Sequence, residues 1–262
     1  MKITFLAALF VALGCASSGA AERSASPYNW TGFYVGAHLG GAWARSSSVT
    51  LNPYPVPFGF PQQGIPLAGS SGFAGGGQVG FDAQVSPHIL LGLEADFSWT
   101  HKAASGFVAP LQGSPPGRIL DSYGTASREI DWLGSLRPRG GVIFDRLLVY
   151  ATGGAAFERV KFTANAVMPN LGDNGGFTTP GYSNAISWGW VAGGGVEYAL
   201  TANWIVRAEY LHYHFNDNFN GPLTPRVFNA VTPDVTGIGF RYDAHTSLDV
   251  VRAAISYKFG GR

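Results

Sequence analysis

Hydrophobic and polar residues alternate with period two along most of this chain. Over residues 248–259, Val251, Ala253, Ile255, Tyr257 and Phe259 alternate with Val250, Arg252, Ala254, Ser256 and Lys258. A strand built from this segment has one apolar, aromatic face and one face that carries charge. The same period marks eight candidate strands, at 33–44, 73–85, 89–100, 129–144, 147–162, 187–198, 204–214 and 245–259. Each reaches the roughly 9 to 11 residues that cross a bilayer obliquely. The connections fall into two kinds: short ones at 86–88, 145–146 and 199–203, and long ones at 45–72, 101–128, 163–186 and 215–244. Short and long alternate without exception, which an up-and-down barrel with both termini on one side of a membrane requires. The expected fold is therefore all-β, an eight-stranded antiparallel up-and-down transmembrane β-barrel.

The two faces of each strand fit that placement. In the third strand Ile89, Leu91, Leu93, Ala95, Phe97 and Trp99 are assigned to lipid, and Leu90, Gly92, Glu94, Asp96, Ser98 and Thr100 to the interior. Polar-in and apolar-out is the reverse of a soluble barrel. Aromatic residues gather near strand ends, with Trp30, Phe33, Phe144, Tyr198, Trp204, Tyr257 and Phe259 toward the periplasmic side. Trp43, Trp99, Trp132, Phe157 and Trp190 lie toward the outer side. Rings of this kind prefer headgroup zones. Pro138, inside the fourth strand, has no N–H to give and predicts a bulge or a broken ladder bond there.

The first 21 residues have a separate character. Met1 and Lys2 precede an apolar run over residues 3–13 and then small residues through Ala21. This reads as a secretory signal over 1–21, with the barrel domain over 22–262. Cys15, the one cysteine, lies within the leader in a poor context for lipid attachment, so the mature chain is expected without disulfides. The 37 glycines suit closely packed, curved strands, and a net charge of +1 offers no basic field for nucleic acid.

Candidate chemistry sits at inward positions. These collect Asp82, Glu94, Asp96, Glu129, Asp131, Glu197 and Glu209 with Arg137, Arg139, Arg207, Arg252 and Lys258. Eight strands enclose a space that side chains fill, so opposite charges there are expected to pair into a polar core. His212 and His214 share a strand face near the outer rim, with His101 and His245 as neighbours to test, but no further ligand pattern accompanies them. The runs at 75–77 and 193–195 are glycines within strands, with no helix start after them to cradle a phosphate. The sequence thus predicts no catalytic residue, no metal centre and no cofactor.

At Trp30-Thr31-Gly32-Phe33-Tyr34-Val35-Gly36 the chain resembles the opening strand of small alphaproteobacterial outer-membrane β-barrel proteins, the porin-family or opacity-like surface antigens. Further matches are Gly195-Val196-Glu197-Tyr198-Ala199, Trp204 with Ala208-Glu209-Tyr210-Leu211, and Val250-Val251-Arg252 with Tyr257-Lys258-Phe259. The resemblance implies an outer-membrane barrel with a structural or surface-contact role and no catalytic residues to transfer. Its implied partners are outer-membrane lipids, the barrel-assembly machinery through the C-terminal strand, and host or environmental surfaces through the loops. A small pore for ions or solutes is the alternative.

Overall fold

The structure is a computed structural model that describes residues 28–54, 63–69, 71–109, 112–113, 117–118, 122–168, 176–222, 224–226 and 239–260. The expected leader over 1–21, with Cys15 and the expected cleavage region, lies outside the described residues.

Eight long strands dominate: β1 (Gly32–Tyr54), β2 (Gly72–Ser86), β3 (Ile89–Val108), β4 (Tyr123–Phe144), β5 (Leu147–Met168), β6 (Gly176–Ala199), β7 (Trp204–Pro222) and β8 (Gly239–Lys258). Each pairs antiparallel with its sequence neighbours, and β8 returns to pair with β1, from Tyr34 opposite Lys258 to Tyr54 opposite Gly239. The ring is closed over the lower part of the strands, where each is paired on both sides; above it the β6–β7 ladder ends at Gly189 opposite Phe215, and residues 179–188 of β6 and 216–222 of β7 are paired on one side only among the described residues. Tight turns join β2 to β3 at Pro87-His88 and β4 to β5 at Asp145-Arg146. Asp145 takes the left-handed φ of 54° that a two-residue turn demands, a conformation aspartate tolerates.

The strands run longer than the period-two reading predicts. They measure from 15 residues in β2 to 24 in β6, so at least part of each expected long loop is strand. Residues 46–54 of β1, for example, pair with residues 239–247 of β8. At about 3.3 Å per residue and a tilt of 35–45°, ten residues beyond the bilayer rise about 25 Å above it. In this extension the polarity of the faces inverts. Val49, Leu51, Phe162, Ala164, Tyr242 and Ala244 point inward and are buried, together with Ile65 and Leu67 from the segment that follows β1. Outside the bilayer the surface no longer has to be apolar, and the inner face takes over the hydrophobic burial.

Within the membrane belt the faces agree with the alternation: Phe33, Leu39, Val79, Leu91, Leu93, Val149, Val196 and Val251 are exposed on the outside. Pro138 interrupts the β4–β5 ladder without shifting it. Leu136 pairs with Ala155 and Arg139 with Thr152, and the two positions between have no partner. The Thr152 hydroxyl donates to the Pro138 carbonyl across that gap at 2.9 Å. A true shift occurs instead between Ile130 and Trp132.

Candidate functional site

The lumen is filled in layers. At the periplasmic end an apolar layer of Trp30, Leu90, Ile143, Leu148, Ala199 and Ile205 closes the ring. Trp30 is fully buried, and its indole N–H donates to the Asp145 carbonyl at 3.0 Å. Its place in a headgroup girdle is therefore corrected. Trp30 precedes β1, and the chain turns it under the barrel, where it covers the lumen floor. Phe33, Phe144, Tyr198, Trp204, Tyr257 and Phe259 do face outward.

Above the floor lies a layer of charge. Arg137 Nη2 stands 2.6 Å from Glu94 and 2.8 Å from Asp96, and its Nη1 is 3.2 Å from Glu209. Arg139 reaches Glu197 at 2.7 Å and Glu94 at 3.4 Å; Arg207 reaches Glu94 and Glu197, each at 2.6 Å. Arg252 joins Asp96 at 3.2 Å and Glu209 at 2.6 Å. Neutral donors complete the carboxylates: Tyr34 to Glu94 at 2.6 Å, Tyr150 to Glu209 at 2.7 Å and Ser135 to Asp96 at 2.5 Å. The Arg139 guanidinium also lies 4.2 Å from the Tyr150 ring centroid. His38 is wedged beside this layer. Its Nδ1–H donates to Gln78 Oε1 at 3.1 Å, which leaves Nε2 to accept from Arg252 at 3.3 Å and from the Ser98 hydroxyl at 2.8 Å.

Four guanidiniums, Arg137, Arg139, Arg207 and Arg252, thus meet five carboxylates, Asp82, Glu94, Asp96, Glu197 and Glu209. Asp82 sits at the layer's edge, 3.7 Å from Arg139 Nε, with Oδ1 free of hydrogen bonds. Two glycines make room. A Cβ at Gly80 would strike the Tyr34 ring and hydroxyl, and one at Gly92 would strike the Asp82 carboxylate. Lys258 is buried but stands apart, bonded to the Asn29 carbonyl and 4.3 Å from the Tyr28 ring.

A second apolar layer covers the charge from above, with Ile130, Leu133, Val191, Leu211, Tyr213, Phe215, Leu248 and Val250. Higher still is a buried pair that the period-two reading omits, Arg128 with Glu158, the Arg128 guanidinium lying 5.4 Å from the Phe162 ring centroid. The two expected interior acids of this region, Glu129 and Asp131, are corrected to the outer face, where Asp131 pairs with Lys161 at 3.0 Å and both are partly exposed. The register shift at Asp131 explains both results. One extra residue on β4 reverses the phase, so Arg128 and Ile130 point in above the shift, while Leu133, Ser135 and Arg137 point in below it.

The rim histidines do not converge. His212 and His214 flank Trp190, with ring centroids 5.6 Å from it in each case. Their Nδ1 atoms bond to Asp249 at 2.7 Å and Ser247 at 3.0 Å, and His245 bonds to Asn216. The side chain of His101 lies outside the described residues. Among the described residues no three metal-ligating groups come together.

A family model, the outer membrane protein beta-barrel domain, matches residues 6–243. The chain belongs to this family. The 31 kDa outer-membrane immunogenic protein of Brucella melitensis biotype 1 is similar to it, 27% identical over 267 residues, 97% of each chain. The 25 kDa outer-membrane immunogenic protein of Brucella abortus biovar 1 is 26% identical over 222 residues, 83% of this chain and 82% of that one. The crystal structure of the outer membrane protein OprG from Pseudomonas aeruginosa is similar with a TM-score of 0.49 and 13% identity, over 87% of this chain and 96% of that one. Family membership places the chain in the outer membrane, and the short turns of such a barrel face the periplasm.

Proposed function

We propose that the protein is a sealed, non-catalytic outer-membrane barrel that acts through its extracellular surface, as a structural component and surface antigen. The observation that carries this reading is the layered lumen: a charged layer enclosed between the Trp30 floor and the Tyr213–Phe215 layer. An ion crossing it has to displace paired guanidiniums and carboxylates and then shed its water against two apolar layers, each step costly in a confined space. What projects outward is a strand extension with its own buried core, a shape suited to recognition by antibodies or by a host surface. The printed names of the Brucella relatives, outer-membrane immunogenic proteins, agree with that use. The partners of this reading are outer-membrane lipid around the belt, the barrel-assembly machinery at the C-terminal strand, and an external surface at the extension.

Two assays test it together. Liposomes carrying the folded protein should swell in a small sugar no faster than empty ones, and antibodies raised against the folded protein should bind intact cells. Rapid swelling would transfer the reading to a solute pore, and antibody binding confined to permeabilised cells would remove the surface role.

A further inference from the structure

The outward positions of β5 change chemistry in one direction. From the periplasmic end they read Val149, Ala151, Gly153, Ala155, Phe157, Arg159, Lys161, Thr163 and Asn165. They are apolar up to an aromatic ring, then cationic, then hydroxyl and amide. Phe157 fixes the depth: it packs edge-on against Trp188, ring centroids 4.4 Å apart, in the outer aromatic girdle. Arg159 stands two residues higher, about 5 Å along the membrane normal, and Asn165 about 20 Å higher.

Arg159 is exposed and forms no ion pair among the described residues. In register it lies between Trp132 of β4 and Ile186 of β6, and Ile186 and Trp188 are 58% and 68% exposed. The acids nearby, Glu129 and Asp131, stand opposite or beside Lys161, and Asp131 is committed to it at 3.0 Å. Tyr182, 66% exposed, pairs with Thr163 at the next level up. A guanidinium that is flanked by exposed apolar side chains, seated at the headgroup level and topped by Tyr, Thr and Asn, is matched to a ligand with acyl chains, a phosphate and sugars in that order.

We infer that the outer face of β4–β6 is a lateral binding site for a phosphorylated glycolipid of the outer leaflet. Arg159 takes the phosphate, Trp132, Ile186 and Trp188 take the acyl chains, and Thr163 and Tyr182 face the first sugars. The site lies on the outside of the wall, so it does not depend on the lumen being sealed.

The test uses the folded full-length chain in detergent, incubated with lipopolysaccharide or with enzymatically dephosphorylated lipopolysaccharide and passed through gel filtration, with retained lipid read by native mass spectrometry. The wild-type protein should retain lipopolysaccharide and retain the dephosphorylated form at least fivefold less. Arg159→Glu should lower retention of the intact lipid by a similar factor, while Arg241→Glu, an exposed arginine on β8, should leave it unchanged. Equal retention of the two lipids by the wild-type protein overturns the assignment, as does wild-type retention by a heat-modifiable, folded Arg159→Glu, or an equal loss in Arg241→Glu. The wild-type comparison of the two lipids decides the matter even where a variant does not fold.

Discussion

Replacing Arg137 by methionine tests the charged layer where it is densest. Arg137 is fully buried and touches three carboxylates, Glu94, Asp96 and Glu209, within 3.2 Å. The substitution keeps most of the volume and takes the layer from four cations against five carboxylates to three against five. Three charge-assisted hydrogen bonds at about 1.5–3 kcal/mol each would sum to about 4.5–9 kcal/mol if none were replaced. Each carboxylate keeps other partners, however. Asp96 retains Arg252 and Ser135, Glu94 retains Arg139, Arg207 and Tyr34, and Glu209 retains Arg252 and Tyr150. The expected loss therefore falls to about 3–5 kcal/mol, the usual cost of removing one partner from a buried ionic network. Urea titration of the protein in lipid vesicles, followed by tryptophan fluorescence, should show the midpoint fall by roughly 1 M or more. The double variant Arg137→Met with Asp96→Asn removes one charge of each sign and should recover part of the loss, since the excess of carboxylate is smaller. A midpoint that stays within about 0.3 M of wild type for Arg137→Met would show that the layer contributes nothing, and the argument from pairing would fail.

Two further outcomes follow from the same geometry. Gly80→Ala puts a methyl group against the Tyr34 ring and should cost about 1–3 kcal/mol in that titration, whereas Gly140→Ala, whose new methyl meets Leu91 at an ordinary 3.5 Å, should be near neutral. Arg128→Met breaks a buried ion pair and should destabilise far more than Glu129→Gln on the outer face; the opposite order would show that the phase of β4 above Asp131 is misplaced.

Much of this architecture was legible in the sequence because a membrane strand has to satisfy lipid on one side. Leu91, Leu93 and Phe97 alternate with Gly92, Glu94 and Asp96, and each lies on the side that this alternation assigns. Ten of the twelve expected interior charges are buried, and Glu129 and Asp131 are the two that are not. They failed for a local reason: period two extends a phase indefinitely, and a single extra residue at Asp131 reverses it. The signal that would have exposed this was Arg128 and Ile130 in one phase with Leu133, Ser135 and Arg137 in the other. The strand extensions escaped for a different reason. Residues 48–52, Ser-Val-Thr-Leu-Asn, still alternate, but with the apolar side turned inward, and a pattern defined by apolar-out membrane strands takes such a segment for loop. Trp30 was misassigned because a tryptophan at a strand end suits a headgroup belt as well as a lumen plug, and only the three-dimensional path of the chain under the barrel separates them.

The central claim is that paired charge and two apolar layers close the lumen, and single-channel recording in a planar bilayer addresses it most directly. The account predicts that the folded wild-type protein shows no sustained openings and that Arg252→Ala, which strips Asp96 and Glu209 of a shared cation, introduces leak currents or flickering. Stable, open channels on the order of a nanosiemens in the wild-type protein, unchanged in Arg252→Ala, would contradict it.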